Sequence, residues 1–462
     1  MNGELSRRRF LQQTATASAG TVAARYAKLG AILGAGTAPQ IARGAAVKPS
    51  VLGGTPVRTT SFPTWPVYDQ REETALRGVL QSGQWFRGAG RKVGEFEEAY
   101  AKLTGAKHCV ATANGTGALF TSLTALDVGP GDEVVLSPYT FIATLNVVIL
   151  NYALPVFADS DPASFEVDAR KIEPALTERT AAILPVHLGG NPADLDTIME
   201  VSRRRRIPVV EDACQAWLAE WRGRKVGTYG AAGCFSFQAS KNLNAGEGGA
   251  VLTNDPNLAE DIYAAHNNNR GRRVTGYNFK YRGTRAANLR MTEWQGALLL
   301  AQMTRLENQA RTREQNAEYL SAQFRQIPGL APAKMYAGCT RNAYHLYMFR
   351  FLPEQFGGGL TRAQFLKAMS AEGIPCMAGY TPLNQEPFIK EVLASKAYKR
   401  IYPAKLLAEW AERNRCPAND QLCDQAVWFT QPMLLGPRKD MEDIVAAVTK
   451  IKVHAAELAN KA

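Results

Sequence analysis

Between about residues 105 and 255, short apolar runs alternate with segments of helical periodicity. His108-Cys109-Val110-Ala111, Val134-Val135-Leu136, Val156-Phe157-Ala158, Ala182-Ile183-Leu184 and Val209-Val210 are short and, His108 apart, apolar. They lack the polar alternation of a strand with one wet face, so they predict strands covered on both sides. A helix through Leu119 and Leu123 and an amphipathic segment from Leu195 to Arg203 lie between them. Strands and helices in that alternation predict βαβ units and a mainly parallel sheet, with Gly249 to Thr253 as one more strand. A long helical pattern begins near Thr292 and runs toward Phe324. Thr292 and Gln295 have capping-box spacing, and Trp294, Leu298, Leu299 and Met303 supply an apolar face. A helix of that length is expected to link two domains. Beyond it, Ala343 to Leu352 predicts a strand, Thr361-x-x-Gln364 a helix start, and Met441 to Leu458 a final helix, giving a smaller α+β unit. The expected division is a leader over 1–46, a large domain over 47–300 and a small domain over 301–462.

Polar residues gather just after the strands. Ser137-Pro138-Tyr139-Thr140-Phe141 follows Leu136, Asp159 follows Ala158, His187 follows Val186, and Asp212 follows Val210. In an open α/β sheet, ligands bind outside the carboxyl ends of the strands. Asn114-Gly115-Thr116-Gly117, between a strand and a helix, offers free amides and a hydroxyl to an anion, although many such turns are only turns. Gly88-Ala89-Gly90 and Gly94 have the wrong spacing for a dinucleotide loop, and no strand precedes them. Asp212 alone reads as a helix cap, Ser236 as the polar end of a strand, and Lys241 as a surface lysine. Together they read differently. Lys241 ends the stretch Phe235-Ser236-Phe237-Gln238-Ala239-Ser240-Lys241, with Glu211-Asp212 upstream and Gly246-Glu247-Gly248-Gly249 downstream. An amine, a carboxylate and a hydroxyl so placed suit pyridoxal 5'-phosphate: the amine for a Schiff base with its aldehyde, the carboxylate for its pyridine nitrogen, the hydroxyl and backbone amides for its phosphate.

Composition narrows the classes. The 462 residues are 46% hydrophobic and 21% charged, as in a soluble globular chain with a full core. The net charge of +12 is partly local, in Arg7 to Arg9 and Arg203 to Arg206. The second run closes a helical pattern, where cations complement the dipole. No nucleic-acid motif accompanies it. The seven cysteines show neither redox nor zinc spacing, so no metal site is expected; Cys214 and Cys234 read as small hydrophobes in buried strands. Ser6-Arg7-Arg8-Arg9-Phe10-Leu11-Gln12 resembles a twin-arginine export signal, followed by a weakly apolar stretch and small residues near Ala35 to Ala46. Arg25 and Lys28 break that stretch, so no membrane span is expected.

Several segments in one order carry a stronger resemblance. Val209-Val210-Glu211-Asp212-Ala213-Cys214-Gln215-Ala216, Cys234-Phe235-Ser236-Phe237 with Lys241-Asn242-Leu243, and Gly246-Glu247-Gly248-Gly249-Ala250 resemble the DegT-like family of pyridoxal-phosphate aminotransferases acting on keto sugars and keto cyclitols. Pro130-Gly131-Asp132-Glu133-Val134, Thr140-Phe141-Ile142-Ala143-Thr144, Val186-His187-Leu188-Gly189-Gly190 and Asn288-Leu289-Arg290-Met291-Thr292 agree, and the resemblance runs from about Leu52 to the C-terminus. It implies an α/β fold of the aspartate-aminotransferase type (fold type I), with a large mainly parallel-sheet domain and a smaller α+β C-terminal domain. It implies that Lys241 is the Schiff-base lysine, that Asp212 pairs with the pyridine nitrogen, and that Gln215 contacts the ring oxygen. Phe141 matches the aromatic that stacks on the ring, and Gly115, Thr116 and Ser236 match phosphate contacts. His187 matches a residue beside the cofactor. Asn288 matches an asparagine that reaches the phosphate from the other subunit, which implies a homodimer with shared active sites.

The same resemblance points to a reaction class: transfer of an amino group from glutamine or glutamate to a keto cyclitol or keto sugar, as in amino sugar biosynthesis. Leu52-Gly53-Gly54-Thr55-Pro56-Val57-Arg58, Gly83-Gln84-Trp85-Phe86-Arg87 and Tyr380-Thr381-Pro382-Leu383-Asn384 look most like the branch that aminates scyllo-inosose-type cyclitols. Many sugar-nucleotide members carry histidine where Asn384 stands. Two other readings stay open. One is a dehydratase of the same fold, whose relatives carry histidine at the lysine position. The other is a non-catalytic exported binding protein.

Overall fold

The apolar runs form the strands expected of them. The computed structural model describes residues 47–272, 283 and 285–461, so the leader expected over 1–46 lies outside the described residues. The strands are β1 (His108–Thr112), β2 (Glu133–Leu136), β3 (Leu154–Phe157), β4 (Thr180–Leu184), β5 (Val210–Asp212), β6 (Ala232–Ser236) and β7 (Gly249–Thr253). β2 pairs in parallel with β3 and β4, and β5 in parallel with β6. Parallel bridges Ile183–Val209 and Val186–Asp212 join the two groups into one sheet, in the order β3-β2-β4-β5-β6-β7-β1. Only β7 runs against its neighbours. This is the expected α/β architecture.

Side chains on successive strand residues point to opposite faces, and both faces are buried. Val110, Cys234 and Val251 join one core; Cys109, Phe235, Ala250 and Leu252 join the other. Helices α1 (Gln70–Ser82), α2 (Lys92–Thr104), α3 (Gly115–Ala125), α4 (Ile142–Leu150), α5 (Leu195–Arg205) and α6 (Pro256–His266) accompany the sheet. α5 ends in the basic run, where Glu173 pairs with Arg204 and Arg205 and Arg206 takes a left-handed φ of 56°. The run is a solvated helix end, as its position in the pattern predicted.

α7 (Glu293–Phe324) starts at the expected box: the Thr292 amide donates to Gln295 Oε1 at 2.7 Å. It leads to an antiparallel sheet of β8 (Leu330–Pro332), β9 (Leu346–Phe351) and β10 (Ala426–Thr430), in that order. α8 (Arg362–Ala371) and α9 (Arg438–Val453) cover it. β9 starts later than the apolar pattern because Ala343 donates to the Gly190 carbonyl and Tyr344 has a φ of 46°. The expected final helix breaks at His454, and Ala455–Ala459 forms a separate turn of helix. Cys214 departs from expectation too: β5 stops at Asp212, and Cys214 lies in the turn after it, only partly buried. All seven cysteines are free thiols.

Two segments pack far from their sequence neighbours. Leu383, Ile389, Tyr398, Tyr402 and Trp410 complete the core beside β3, with Trp410 Nε1 donating to the Pro155 carbonyl at 2.8 Å. Val51, Leu52, Val57 and Phe62 instead pack on the core of β9 and α9. Arg58 fastens that strap through buried ion pairs to Asp440 at 2.7 Å and Asp443 at 3.0 Å. Removing one partner of a buried ionic cluster strands the other charges, so Arg58→Met should cost about 3 kcal/mol. A lowered urea midpoint of unfolding would record it; an unchanged midpoint would mean that the strap is held by its apolar contacts alone.

Candidate active site

The carboxyl ends of β1, β2, β5 and β6 open on a cavity of about 760 Å³. At β1 the chain turns into α3. Asn114 caps that helix by accepting from the Gly117 amide at 2.8 Å, and Gly115 and Thr116 in its first turn line the cavity. First-turn amides have no partner inside the helix and carry the positive end of its dipole. Gly115 is required by contact: a Cβ there would stand 2.7 Å from Ser236 Cβ and 3.0 Å from Cys214 Sγ. The helix start is therefore pressed against the end of β6, where Ser236 also lines the cavity.

Asp212 ends β5 and is buried at 4% exposure, yet it lines the cavity. Its Oδ2 accepts from Thr144 Oγ1 at 2.8 Å and its Oδ1 from the Cys214 amide at 3.1 Å. Thr144, in the first turn of α4, contacts Thr140 Oγ1 at 3.0 Å. The carboxylate is thus fixed from two sides. Phe141, the residue before α4, lines the same cavity with a half-exposed ring. Gln215 lines it as well, with its Oε1 on the Gly189 amide at 2.7 Å and its Nε2 donating to Tyr380 OH at 3.1 Å.

Lys241 enters from the turn after β6. Its amide donates to the Gln238 carbonyl at 2.9 Å, and the Ala239 amide to that of Gly246 at 2.9 Å. Burial pulls the Lys241 amine below the ordinary lysine value, although the neighbouring Cys214 and Asp212 oppose the shift. The amine faces His345 Nε2 at 3.5 Å. Asn242 Nδ2 donates to the Ala343 carbonyl at 2.9 Å, which leaves its Oδ1 for His345 Nδ1 at 3.1 Å. The proton of the neutral ring therefore sits on Nδ1, and Nε2 offers its lone pair to the lysine. Burial, with the Lys241 and Arg313 cations nearby, holds His345 well below the usual histidine range.

His187, expected beside the cofactor, lies off this cavity, and Asn288 was expected to serve the site of another subunit. His187 is fully buried and is not on the cavity wall; its Nε2 meets Glu211 Oε2 at 3.0 Å and its Nδ1 accepts from the Ala193 amide at 3.1 Å. Glu211 precedes Asp212 on β5 and so points to the opposite face. Burial disfavours its charge, but His187 and the Gly227 and Gly230 amides hold its pKa below the usual value. Asn288 is exposed, bridges Asn267 through the backbone, and does not line this cavity. The sequence reading also left His345, Thr144 and Tyr380 without roles. A single histidine at the head of an apolar run was the only signal for His345.

Comparison with known proteins agrees with this architecture. The chain is 35% identical over 409 residues to a putative L-glutamine:3-amino-2,3-dideoxy-scyllo-inosose aminotransferase of Streptoalloteichus tenebrarius, covering 87% of this chain and 97% of that one. It is 36% identical over 428 residues to the L-glutamine:2-deoxy-scyllo-inosose aminotransferase of Streptomyces kanamyceticus, covering 89% and 98%. The crystal structure of 3-amino-5-hydroxybenzoic acid (AHBA) synthase superposes with a TM-score of 0.76 at 31% identity, covering 86% of this chain and all of that one. Residues 66–449 match the family model, and the chain belongs to the DegT/DnrJ/EryC1/StrS aminotransferase family.

Proposed function

We propose that the protein uses pyridoxal 5'-phosphate to move an amino group from L-glutamine or L-glutamate to a keto cyclitol. The observation that carries this is the pairing of the desolvated Lys241 amine and the fixed Asp212 carboxylate in one cavity, beside a helix N-terminus that has no room for a side chain at Gly115. That donor set fits the cofactor. The amides of Gly115 and Thr116, with Ser236, would take its phosphate; Asp212 would pair with its ring nitrogen; Phe141 and Gln215 would contact the ring; Lys241 would bond to it covalently. The bound group supplies an electron sink. The chain supplies the rest. Asp212 holds a negative charge in place, Lys241 carries a proton at Nζ, and the His345 lone pair orients that amine.

Gly115→Ala tests the phosphate cradle. The added methyl group forces α3 away from Ser236, so the affinity for pyridoxal phosphate, read by absorbance titration, should fall about tenfold or more. Unchanged affinity would place the phosphate elsewhere.

Support for the cyclitol acceptor comes from the named relatives. Asn384 does not line the cavity of Lys241 and Asp212: its Nδ2 donates to the Asn414 carbonyl at 3.1 Å. Purified protein with pyridoxal phosphate and glutamine or glutamate, offered scyllo-inosose and a keto nucleotide sugar separately, should yield an aminocyclitol from scyllo-inosose by mass spectrometry. Product from nucleotide sugars alone would change the acceptor; cofactor binding without any product would favour the binding-protein reading. In the same proposal Asn288 serves the active site of a second copy, so the enzyme should run as a homodimer in light scattering. The leader would export the folded protein, which a reporter fused to residues 1–46 would reveal.

A further inference from the structure

Arg313, on α7, is fully buried, and no carboxylate among the described residues pairs with its charge. Its Nε donates to Gln431 Oε1 at 2.9 Å, and its Nη2 donates to the same oxygen. The Trp65 ring covers the guanidinium carbon at 5.4 Å. Nη1 has no hydrogen-bond partner among the described residues. Burial pulls its pKa down to about 9, so the group remains a cation at neutral pH. A buried cation served only by a neutral amide is unfavourable, and packing alone would be met by an apolar side chain or a complete ion pair. The charge therefore calls for an anion that arrives from outside the chain.

Its reach extends into the catalytic cavity. Gln431 lines that cavity, and the charge of Arg313 is felt by His345, which faces the Lys241 amine. Because both guanidinium donors claim Oε1, the Gln431 amide has a fixed orientation. Its Nε2 has one long contact, to the Ser240 carbonyl at 3.4 Å. An amide nitrogen carries two hydrogens, so a donor remains for a ligand. We propose that Gln431, oriented and polarised by Arg313, binds the α-carboxylate of the amino-acid donor. This rests on the transaminase reading, in which the donor carries a carboxylate and the cyclitol acceptor none. The phosphate of the cofactor is the other anion available, but α3 and Ser236 already form its cradle at a different part of the wall.

Gln431→Glu separates these roles. The new carboxylate completes an ion pair with Arg313, so the variant should fold and melt no lower than the parent. It also repels a second carboxylate. The probe is glutaramate, which is glutamine without its amino group and cannot react; pentanediamide is its neutral counterpart. By calorimetry on the cofactor-loaded protein, glutaramate affinity should fall about tenfold or more, while pentanediamide and pyridoxal phosphate bind as before. In turnover, KM for glutamine should rise by a similar factor while KM for the keto acceptor stays within about twofold. Equal weakening of both probes, a loss confined to pyridoxal phosphate, or unchanged glutaramate binding would overturn the assignment. If the parent protein binds glutaramate in this Gln431-dependent way but aminates no acceptor, the carboxylate site stands and the proposed reaction falls.

Discussion

Replacing Lys241 with alanine is expected to reduce amino-group transfer by at least about a thousandfold while the fold stays intact. Among the described residues the side chain makes no salt bridge, and it meets His345 Nε2 at 3.5 Å. Truncation therefore removes little that holds the turn, which is fastened by the Lys241, Ala239 and Ala245 amides. The chemical loss is large because no other amine lines the cavity among the described residues. Borohydride reduction followed by mass spectrometry gives an independent reading: the parent should carry a phosphopyridoxyl group on the peptide containing Lys241, and the variant should not. The pH dependence has a definite sign. Burial lowers the folded-state pKa of this amine below the ordinary lysine value, so its basic form appears at lower pH than for a solvated lysine. The rate at which the cofactor-free protein captures pyridoxal phosphate should therefore rise with pH through that lowered value. A residual rate within about tenfold of the parent would remove Lys241 from the chemistry.

The central sheet was legible because its strands are covered on both faces and are therefore apolar throughout, as in Val134-Val135-Leu136. Its polar consequences were legible for the same reason: whatever follows such a strand leaves the core at the carboxyl edge, and Asp212, Ser236 and Phe141 all meet there. What failed to show was set by distant contacts. β10 is as apolar as the other strands, but only its pairing with β9 shows that Ala426–Thr430 is not part of the preceding helix. His345 acquires its place through Asn242 and Trp217, which are far away in sequence. His187 follows its strand as Asp212 follows β5, and the sequence spacing could not separate them. The face of the sheet did, by turning Glu211 toward His187 and Asp212 toward the cavity. Arg313 resembled any other residue of a long amphipathic helix until Trp65, from near the start of the described chain, covered it.

Asp212→Asn should cost about a thousandfold in rate with little loss of stability. The substitution keeps shape and most hydrogen bonds. An asparagine oxygen can still accept from the Cys214 amide, and its nitrogen can donate to Thr144, whose hydroxyl rotates to accept and then donates to Thr140. Only the charge is removed. A buried carboxylate fixed by two bonds acts strongly on a ring nitrogen beside it and needs no reorganisation during the reaction. A neutral amide gives that nitrogen no reason to keep a proton. Both half-reactions should slow together, because each draws electrons toward the same ring. Thr144→Val provides the control: it frees one carboxylate oxygen without removing the charge, and should slow the reaction by only about tenfold. Stopped-flow rates for glutamine and for the keto acceptor, measured separately, check both variants. If Asp212→Asn falls no further than Thr144→Val, the acid serves to hold the Cys214 turn and α4 in register, and the positive end of the ring must find its counter-charge elsewhere.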